Sequence, residues 1–279
     1  MAKPLTWCKI HKEDFPKTEN FLRSWENICV GACARFISLG FSHAWSYYDE
    51  NNEITAVLLH SRGSLYPVFS GKNIIPMPRF FNRFLEKGSV YSIQGLKQDV
   101  EFLEKGMKEN GQYAADIIDY DLMTLNTHNI PCFQSKLQDL VLRPPVTSDK
   151  EELFCLHSSY EKEEVIPKHG FFNPAGSRKT LDRLLCEEKM LIAVVNNRIV
   201  GKINTNAKSF SKYQIGGVYV LPDFRGMGIA KCMSRAFLQE LMMSVKGVNL
   251  FVKKRNIAAN KLYRSLGFNV LGDYRISYY

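Results

Sequence analysis

The sequence has little of what marks non-globular chains, and it has no long hydrophobic run. Its 279 residues include only 18 glycines and 11 prolines, and 45% are hydrophobic, which excludes collagen-like, low-complexity and disordered chains. No stretch approaches the roughly 20 apolar residues of a membrane span. The N-terminal residues, Met1–Trp7, lack the apolar core of a secretory signal. We therefore expect a cytoplasmic protein with no membrane partner.

Cysteine and histidine are also used sparingly and without spacing that binds metal. The seven cysteines are odd in number and contain no C-x-x-C pair, and the six histidines contain no H-x-x-x-H pair. This pattern argues against a disulfide framework and against a zinc site. We predict that the protein uses no metal.

Positive charge is confined to the second half of the chain. Residues 1–145 hold 16 basic and 16 acidic side chains, whereas residues 146–279 hold 21 and 12, so the net charge of +9 lies wholly in the second half. A basic half attracts an anion, which leaves a nucleotide, a phosphorylated cofactor, nucleic acid or an acidic surface as candidate partners. Charge alone does not choose among them, or against a basic surface with no partner.

Periodicity indicates alternating helices and strands in the second half, after a boundary near Pro144-Pro145. Two apolar runs joined by Asn196-Asn197 predict a hairpin. The other predicted elements are a strand at 137–142, helices from Ser148 or Asp149 to Glu164, at 177–187, from Ile229 onward and at 258–266, and strands at 213–220, 248–252 and 268–279.

The first half repeats this order loosely. Strands are predicted at 54–59, 65–69, 90–93 and 117–125, with a hairpin turn at Ser61–Ser64 and an amphipathic helix at 98–108. The repeated order favours an internal duplication. An unrelated α+β domain remains the alternative.

The segment from Gly217 to Ala230 carries the strongest chemical signal. A strand enters a turn containing Arg225, Gly226 and Gly228, and a helix follows. Glycines allow backbone N–H groups to converge on one point, and a helix start adds unpaired donors and partial positive charge. Arg225 is expected to add a full positive charge nearby, and a pyrophosphate suits such a turn. The segment matches neither G-x-x-x-x-G-K-[ST] nor G-x-G-x-x-G, and an ordinary strand-to-helix turn stays open on this segment alone.

Two motifs in order give a family resemblance. The pattern Arg225-x-x-Gly228-x-Ala230 is similar to the R/Q-x-x-G-x-G/A signature of the GCN5-related N-acetyltransferase (GNAT) superfamily. The downstream pattern, Asn256-x-x-Ala259-x-x-Leu262-Tyr263-x-x-x-Gly267-Phe268, resembles a second segment of that family. The resemblance covers roughly residues 137–279 and implies an α/β GNAT fold, a central twisted mixed sheet flanked by helices. Residues 1–136 resemble the degenerate first copy of two-domain members, so we expect domains at 1–136 and 137–279.

The resemblance also implies an activity and its residues. It implies an N-acetyltransferase that moves the acetyl group of acetyl-CoA to a primary amine of a small molecule or peptide by direct attack, as a monomer or homodimer. Tyr263 would protonate the departing sulfur. The pantetheine arm would lie along the backbone of β-strand residues, the diphosphate on the turn, and Asn256 against the pantetheine or adenosine. By position these cofactor-binding residues are Val218, Tyr219, Val220, Arg225, Gly226, Met227, Gly228, Ile229, Ala230 and Asn256.

The general base is harder to place, because strand 213–220 has no carboxylate where many family members have a glutamate. The candidates are Glu161, Glu163 and Glu164, of which we select Glu164. A solvated helix end is the plain interpretation of this acidic run. A water relay is a further possibility, and His169 and Tyr219 are weaker candidates.

Two other function classes compete with this hypothesis. The missing strand carboxylate favours a non-catalytic acyl-CoA-binding regulatory module, whereas the retained Tyr263 argues against it. A nucleic-acid-binding protein would explain the positive charge, but the only basic cluster is Lys253-Lys254-Arg255, beside Asn256. That cluster suits the phosphates of a cofactor better, so we expect no nucleic-acid partner.

Overall fold

The computed structural model describes residues 7–40, 43–71, 90–127, 129–168 and 170–279. It contains two compact units. Unit 1 comprises Met1–Leu122 and Leu271–Tyr279, and unit 2 comprises Met123–Val270. The domain boundary at 136/137 stays a prediction, but residues 123–136 belong with unit 2 by compactness.

Unit 1 is a mixed sheet with helices. Its described elements are β1 (Trp7–Lys9), α1 (Phe15–Ser24), α2 (Val30–Leu39), β2 (Ala44–Tyr48), β3 (Ile54–Ser61), β4 (Ser64–Phe69), β5 (Ser92–Leu96), α3 (Lys97–Glu109), β6 (Asp116–Leu125) and the chain's last strand, β12 (Asn269–Tyr278). The strand order is β1-β2-β3-β4-β5-β12-β6. Strands β4 and β5 are parallel, while β3 and β4 form the predicted hairpin, whose turn residues Arg62 and Gly63 both have positive φ.

Unit 2 is a second mixed sheet with helices. Its elements are β7 (Val141–Arg143), α4 (Lys150–Tyr160), α5 (Pro174–Glu187), β8 (Met190–Val195), β9 (Arg198–Lys208), β10 (Lys212–Val220), α6 (Ile229–Met242), β11 (Gly247–Lys253) and α7 (Ile257–Ser265). The end of β6 is followed across the sheet by β11-β10-β9-β8-β7. Strand β10 runs antiparallel to β9 and parallel to β11.

The sheet of unit 2 separates two hydrophobic clusters. One contains Ile203, Phe237 and Leu250 and includes residues of α6 and α7. The other contains Leu153 and Ile192 and includes residues of α4 and α5. Burial of side chains on both faces explains the continuous apolar run of β8, and β9 is buried along most of its length although it carries polar side chains. The loop that follows β10 therefore leaves a strand whose residues pack in both clusters, and it leads into α6.

Most predicted elements of unit 2 are present, with shifted ends. Asn196 and Asn197 adopt the positive φ angles of the predicted hairpin turn. The predicted strand at 137–142 was wrong in position, because the strand is Val141–Arg143. The helix predicted to reach Glu164 ends as an α-helix at Tyr160 and continues as one π-helical turn, Glu161–Val165.

Candidate active site

Strand β10 leaves its parallel neighbour early. Within the described chain, its pairing with β11 covers only Lys212, Tyr213 and Gln214. On its other side β10 stays paired with β9 as far as Val220. The later residues of β10 therefore offer backbone groups to an extended ligand on the side of β11, as an edge strand does.

A β-bulge interrupts β10 at the start of this free edge. Gly216 lies opposite Asn204 and Tyr219 opposite Lys202, so β10 has an extra residue between these pairs. Gly217 has φ +61°, and a Cβ atom there would overlap the Asn204 amide and lie 2.7 Å from Lys202 Nζ. The double glycine inside a strand pattern was a signal of this bulge that the sequence interpretation missed.

The turn after β10 presents unpaired backbone donors. Gly226 and Gly228 have φ angles of +77° and +87°, and α6 begins at Ile229. Toward the described residues, none of the amides of residues 226–230 donates a hydrogen bond, whereas the amide of Arg225 donates to Pro222 O at 3.1 Å. Free amides at a glycine turn and a helix start form an anion-binding nest. Residues 226–230, which we name the anion loop, therefore present the kind of unpaired backbone donors that suit an anion.

The anion loop is supported on one side and open on the other. Met227 O accepts hydrogen bonds from Lys136 N at 3.0 Å and from Ser135 Oγ at 3.3 Å. A Cβ on Gly228 would lie 3.1 Å from Gln134 O, whereas a Cβ on Gly226 would meet nothing within 4 Å. Gly228 thus serves packing as well as backbone shape, and Gly226 is the position at which a side chain would enter the open side.

Arg225 holds the structure together instead of adding free charge to the loop. Its Nε donates to Val220 O at 3.0 Å and its Nη2 to Glu163 Oε2 at 2.8 Å, and its guanidinium lies 5.3 Å from the Tyr219 ring centroid. Tyr219 Oη donates to the same Glu163 oxygen at 2.9 Å. The Arg225 hydrogen bond keeps the pKa of Glu163 below its usual range. The expectation that Arg225 adds a free positive charge to the turn was wrong, because its guanidinium is paired with Glu163.

The three glutamate candidates for the general base lie within four residues of the chain and have three different environments. Glu161 lies beside His157, with Oε1 3.2 Å from Nε2. Glu163 belongs to the Arg225 and Tyr219 cluster. Glu164 Oε1 accepts from Asn256 Nδ2 at 3.3 Å. The π-helical turn separates the directions of these carboxylates, and such turns are frequent at functional sites.

Burial and neighbouring side chains shift the pKa of Glu161 in opposite directions. Burial raises the pKa of the Glu161 carboxyl, while the His157 and Ser177 side chains and the charge of Lys202 lower it, with a net shift below its ordinary value. Glu161 is thus held as a carboxylate beside other buried polar groups. Glu164 is the more accessible of the two, with 30% of its side chain exposed against 16% for Glu161.

Tyr263, the predicted proton donor, is buried and its hydroxyl group stays protonated. The residue is buried, and its ring packs edge-on against Phe268 with centroids 5.8 Å apart. No described residue forms a hydrogen bond with its hydroxyl group. Burial raises the pKa of Tyr263 well above its ordinary value, and Tyr160 and Glu164 add to the shift. The phenol therefore stays protonated across the physiological range.

Asn256 already has two partners in the protein. Its Oδ1 caps α7 by accepting from Ala259 N at 3.0 Å, and its Nδ2 donates to Glu164. Glu164 Oε2 also lies 3.5 Å from Lys253 Nζ. Any contact of Asn256 with a cofactor would come in addition to this capping role.

The remaining candidates divide between the two faces of β10. Val218 and Val220 pack with the cluster of α6 and α7, and Tyr219 packs with that of α4 and α5. Ile229 and Met227 contact the first of these clusters, and Ala230 lies at its edge. Their proposed roles depend on backbone groups, not on these side chains. His169 lies outside the described residues.

Two further observations concern metals and membranes. Over the described ranges, no set of three or more His, Cys, Asp or Glu side chains is arranged to hold a metal ion. In the same part of the chain, no helix combines the length and apolar character needed to cross a membrane.

A family model described as "Acetyltransferase (GNAT) family" matches residues 153–268. No curated protein matches the sequence. The fold, in contrast, is similar to that of many solved structures. The family match spans α4 to the end of α7, which is the part of the chain that forms the anion loop and contributes Tyr263.

Three solved structures resemble the whole chain. A GCN5-related N-acetyltransferase from Sphaerobacter thermophilus has a TM-score of 0.59 and 17% identity, over 99% of this chain and 96% of that one. A Drosophila protein has a TM-score of 0.66 at 10% identity, over 98% of both chains. A tandem GNAT protein from the clavulanic acid biosynthesis pathway has a TM-score of 0.56 at 10% identity, over 98% and 97%. These likenesses confirm the predicted fold, two GNAT-like copies in tandem.

Proposed function

Because residues 153–268 form a domain of the GNAT acetyltransferase family, we propose that the protein transfers an acetyl group from acetyl-CoA to a primary amine of a small molecule or peptide. The observation that carries this proposal is the anion loop beside the free edge of β10. A diphosphate needs several converging donors, and an extended pantetheine arm needs an unpaired strand edge. Both features occur within residues 218–230 of this chain.

The residues present suit acetyl-CoA. The amides of residues 226–230 would hold the diphosphate, and the backbone of Val218–Val220 would pair with the pantetheine arm. Acetyl-CoA supplies an activated acyl group whose carbonyl carbon accepts the amine. A backbone N–H near Val220 would stabilise the oxyanion, and such donors are typically worth about 10²–10³ in rate. Tyr263 would give its proton to the departing sulfur, since its hydroxyl is protonated and has no other described partner.

Acetyl-CoA binding and turnover are the direct test. We expect calorimetry to show micromolar binding of acetyl-CoA, and a thiol-release assay to show turnover with at least one amine from a panel of amino acids, polyamines, aminoglycosides and peptides. Binding without thiol release from any amine would favour the non-catalytic acyl-CoA-binding module. Absence of binding would contradict the proposed function altogether.

The same titration should give one site per chain. Strand β4 of unit 1 is also parallel to its neighbour over only a short stretch, Ser64 and Leu65 among the described pairs. The amide of Phe69, the last residue of β4, already donates a hydrogen bond to Asp99 Oδ2 at 3.1 Å. A buried carboxylate at this point competes with any pantetheine arm. Among the described residues, we therefore place the cofactor's amide edge in unit 2 and not at the end of β4.

Glu164 is our proposed general base, acting directly or through water. It lies beside Asn256, close enough to Tyr263 to raise its pKa, and part of its side chain is exposed. We expect Glu164→Gln to lower kcat/KM for the amine by about 100-fold at neutral pH, within the range of general-base catalysis. The loss should shrink as pH rises toward the pKa of the amine, because the free amine then needs no base.

A matched control is available on the adjoining helix. Glu151 on α4 pairs with Arg178 at 2.9 Å and is largely exposed, so Glu151→Gln should keep full activity. A Glu164→Gln loss that is the same at every pH would argue against a base role and assign the carboxylate to structure.

A further inference from the structure

Lys202 on β9 is a fully buried lysine beside the bulge of β10. Its Nζ donates to Gly217 O at 3.1 Å and to Asn204 Oδ1 at 3.1 Å. It also lies 4.4 Å from the centroid of the Tyr160 ring. Two oxygens and an aromatic face together satisfy the three N–H donors of an ammonium group.

Burying a lysine costs free energy of desolvation unless hydrogen bonds to its ammonium group offset that cost. Burial lowers the pKa of Lys202 to about 7, and the Glu161 carboxylate opposes this shift. The groups around Lys202 are Tyr160 and Glu161 from α4 and the π-helical turn, with Tyr219 opposite it on β10. An apolar side chain would avoid the cost of burial, but it would leave the Gly217 carbonyl without its lysine donor.

The Gly217 carbonyl belongs to the bulge that separates the paired and free parts of β10. At φ +61° Gly217 leaves the regular ladder, and its carbonyl is bound by a side chain from the neighbouring strand. A buried carbonyl without a donor costs about as much as a lost hydrogen bond. Loss of Lys202 would therefore favour a different backbone path through Gly217 and the residues that follow it.

We infer that Lys202 is a positioning residue for acetyl transfer, which holds the β10 bulge through Gly217 O and thereby orients the backbone of Val218–Val220 toward the thioester. The inference rests on the proposed function. It assigns the lysine no contact with substrate, because its side chain is enclosed by protein groups. The anion loop is a separate binding element, so the inference separates alignment of the acyl group from cofactor affinity.

The test compares Lys202→Met with wild type in three measurements. We expect kcat to fall at least 30-fold, the Kd for acetyl-CoA to change less than about 3-fold, and hydrogen exchange of a peptide spanning 214–221 to accelerate. Lys202→Gln, a milder change, should move all three in the same direction if Lys202→Met does not fold. Ile203→Val is the control, because Ile203 packs with the cluster of α6 and α7, and we expect it to leave kcat and the exchange of 214–221 unchanged.

The outcomes separate the inference from the proposed function. Unchanged kcat, or a loss of kcat matched by an equal loss of acetyl-CoA affinity, would overturn the positioning role. Unchanged exchange in 214–221 would overturn it as well. If wild type releases no thiol with any amine, the proposed function fails, and the exchange measurement still decides whether Lys202 holds the bulge.

Discussion

Gly226→Asp should weaken acetyl-CoA binding by about 100-fold, which corresponds to about 2.7 kcal/mol. The reason is electrostatic and local. Among the described residues, the amides of residues 226–230 have no hydrogen-bond acceptor. A carboxylate entering the open side at Gly226 would compete with the diphosphate for these amides and repel it. Calorimetric titration of the variant with acetyl-CoA measures this effect directly.

Two controls separate charge from backbone strain. Asparagine tolerates positive φ and has nearly the shape of aspartate, so Gly226→Asn should weaken binding less than 10-fold. Gly111 in unit 1 has φ +74° and open space around it, so Gly111→Asp imposes a similar backbone cost away from the site and should leave binding unchanged. Equal weakening by Gly226→Asp and Gly226→Asn would show that loop shape, not diphosphate repulsion, explains the loss.

Tyr263→Phe should lower kcat by about 100-fold while changing the Kd for acetyl-CoA less than 3-fold. The substitution removes only the hydroxyl, and this hydroxyl has no hydrogen-bond partner among the described residues, so the fold should be as stable as before. What is lost is the proton for the departing thiolate, a contribution of the size usual for general-acid catalysis. Steady-state kinetics, calorimetry and thermal unfolding give the three quantities.

Tyr213→Phe is the matched control, because Tyr213 is a buried tyrosine in the same cluster as Tyr263. We expect it to retain full turnover. Because burial raises the pKa of Tyr263, wild-type activity should also show no loss from phenol ionisation up to about pH 10. Full turnover by Tyr263→Phe would reduce Tyr263 to a packing residue against Phe268.

Much of the local structure follows from short stretches of sequence. Asn196-Asn197 and the Gly63 of Arg62-Gly63 favour two hairpin turns, because asparagine and glycine accept positive φ more readily than most residues. The strand, glycine turn and helix around Gly226 and Gly228 are equally local, so this backbone path was predicted with its residues, whereas anion binding there stays a prediction. Asn256 caps α7 with its own side chain, which is a local interaction that the sequence analysis did not assign.

Other site features depend on residues far apart in the chain. Arg225 was expected to be a free cation for the diphosphate, but its guanidinium forms an ion pair with Glu163, 62 positions away. The run Glu161–Glu164 gave no basis for separating its carboxylates, because a π-helical turn sends each to a different partner. Nothing in the sequence of β9 marks Lys202 as a functional residue, since the role we propose for it depends on the Gly217 carbonyl of the next strand.

Sequence by itself determined the family resemblance of the second half, the hairpin turns and the glycine turn, since each depends on short motifs whose backbone preferences are set within a few positions. Tertiary structure alone decided which ionisable groups are buried, which form ion pairs and which stay protonated. That division has a physical cause: φ preferences and hydrophobic period act locally, whereas desolvation and charge pairing depend on neighbours that only the folded chain brings within about 4 Å.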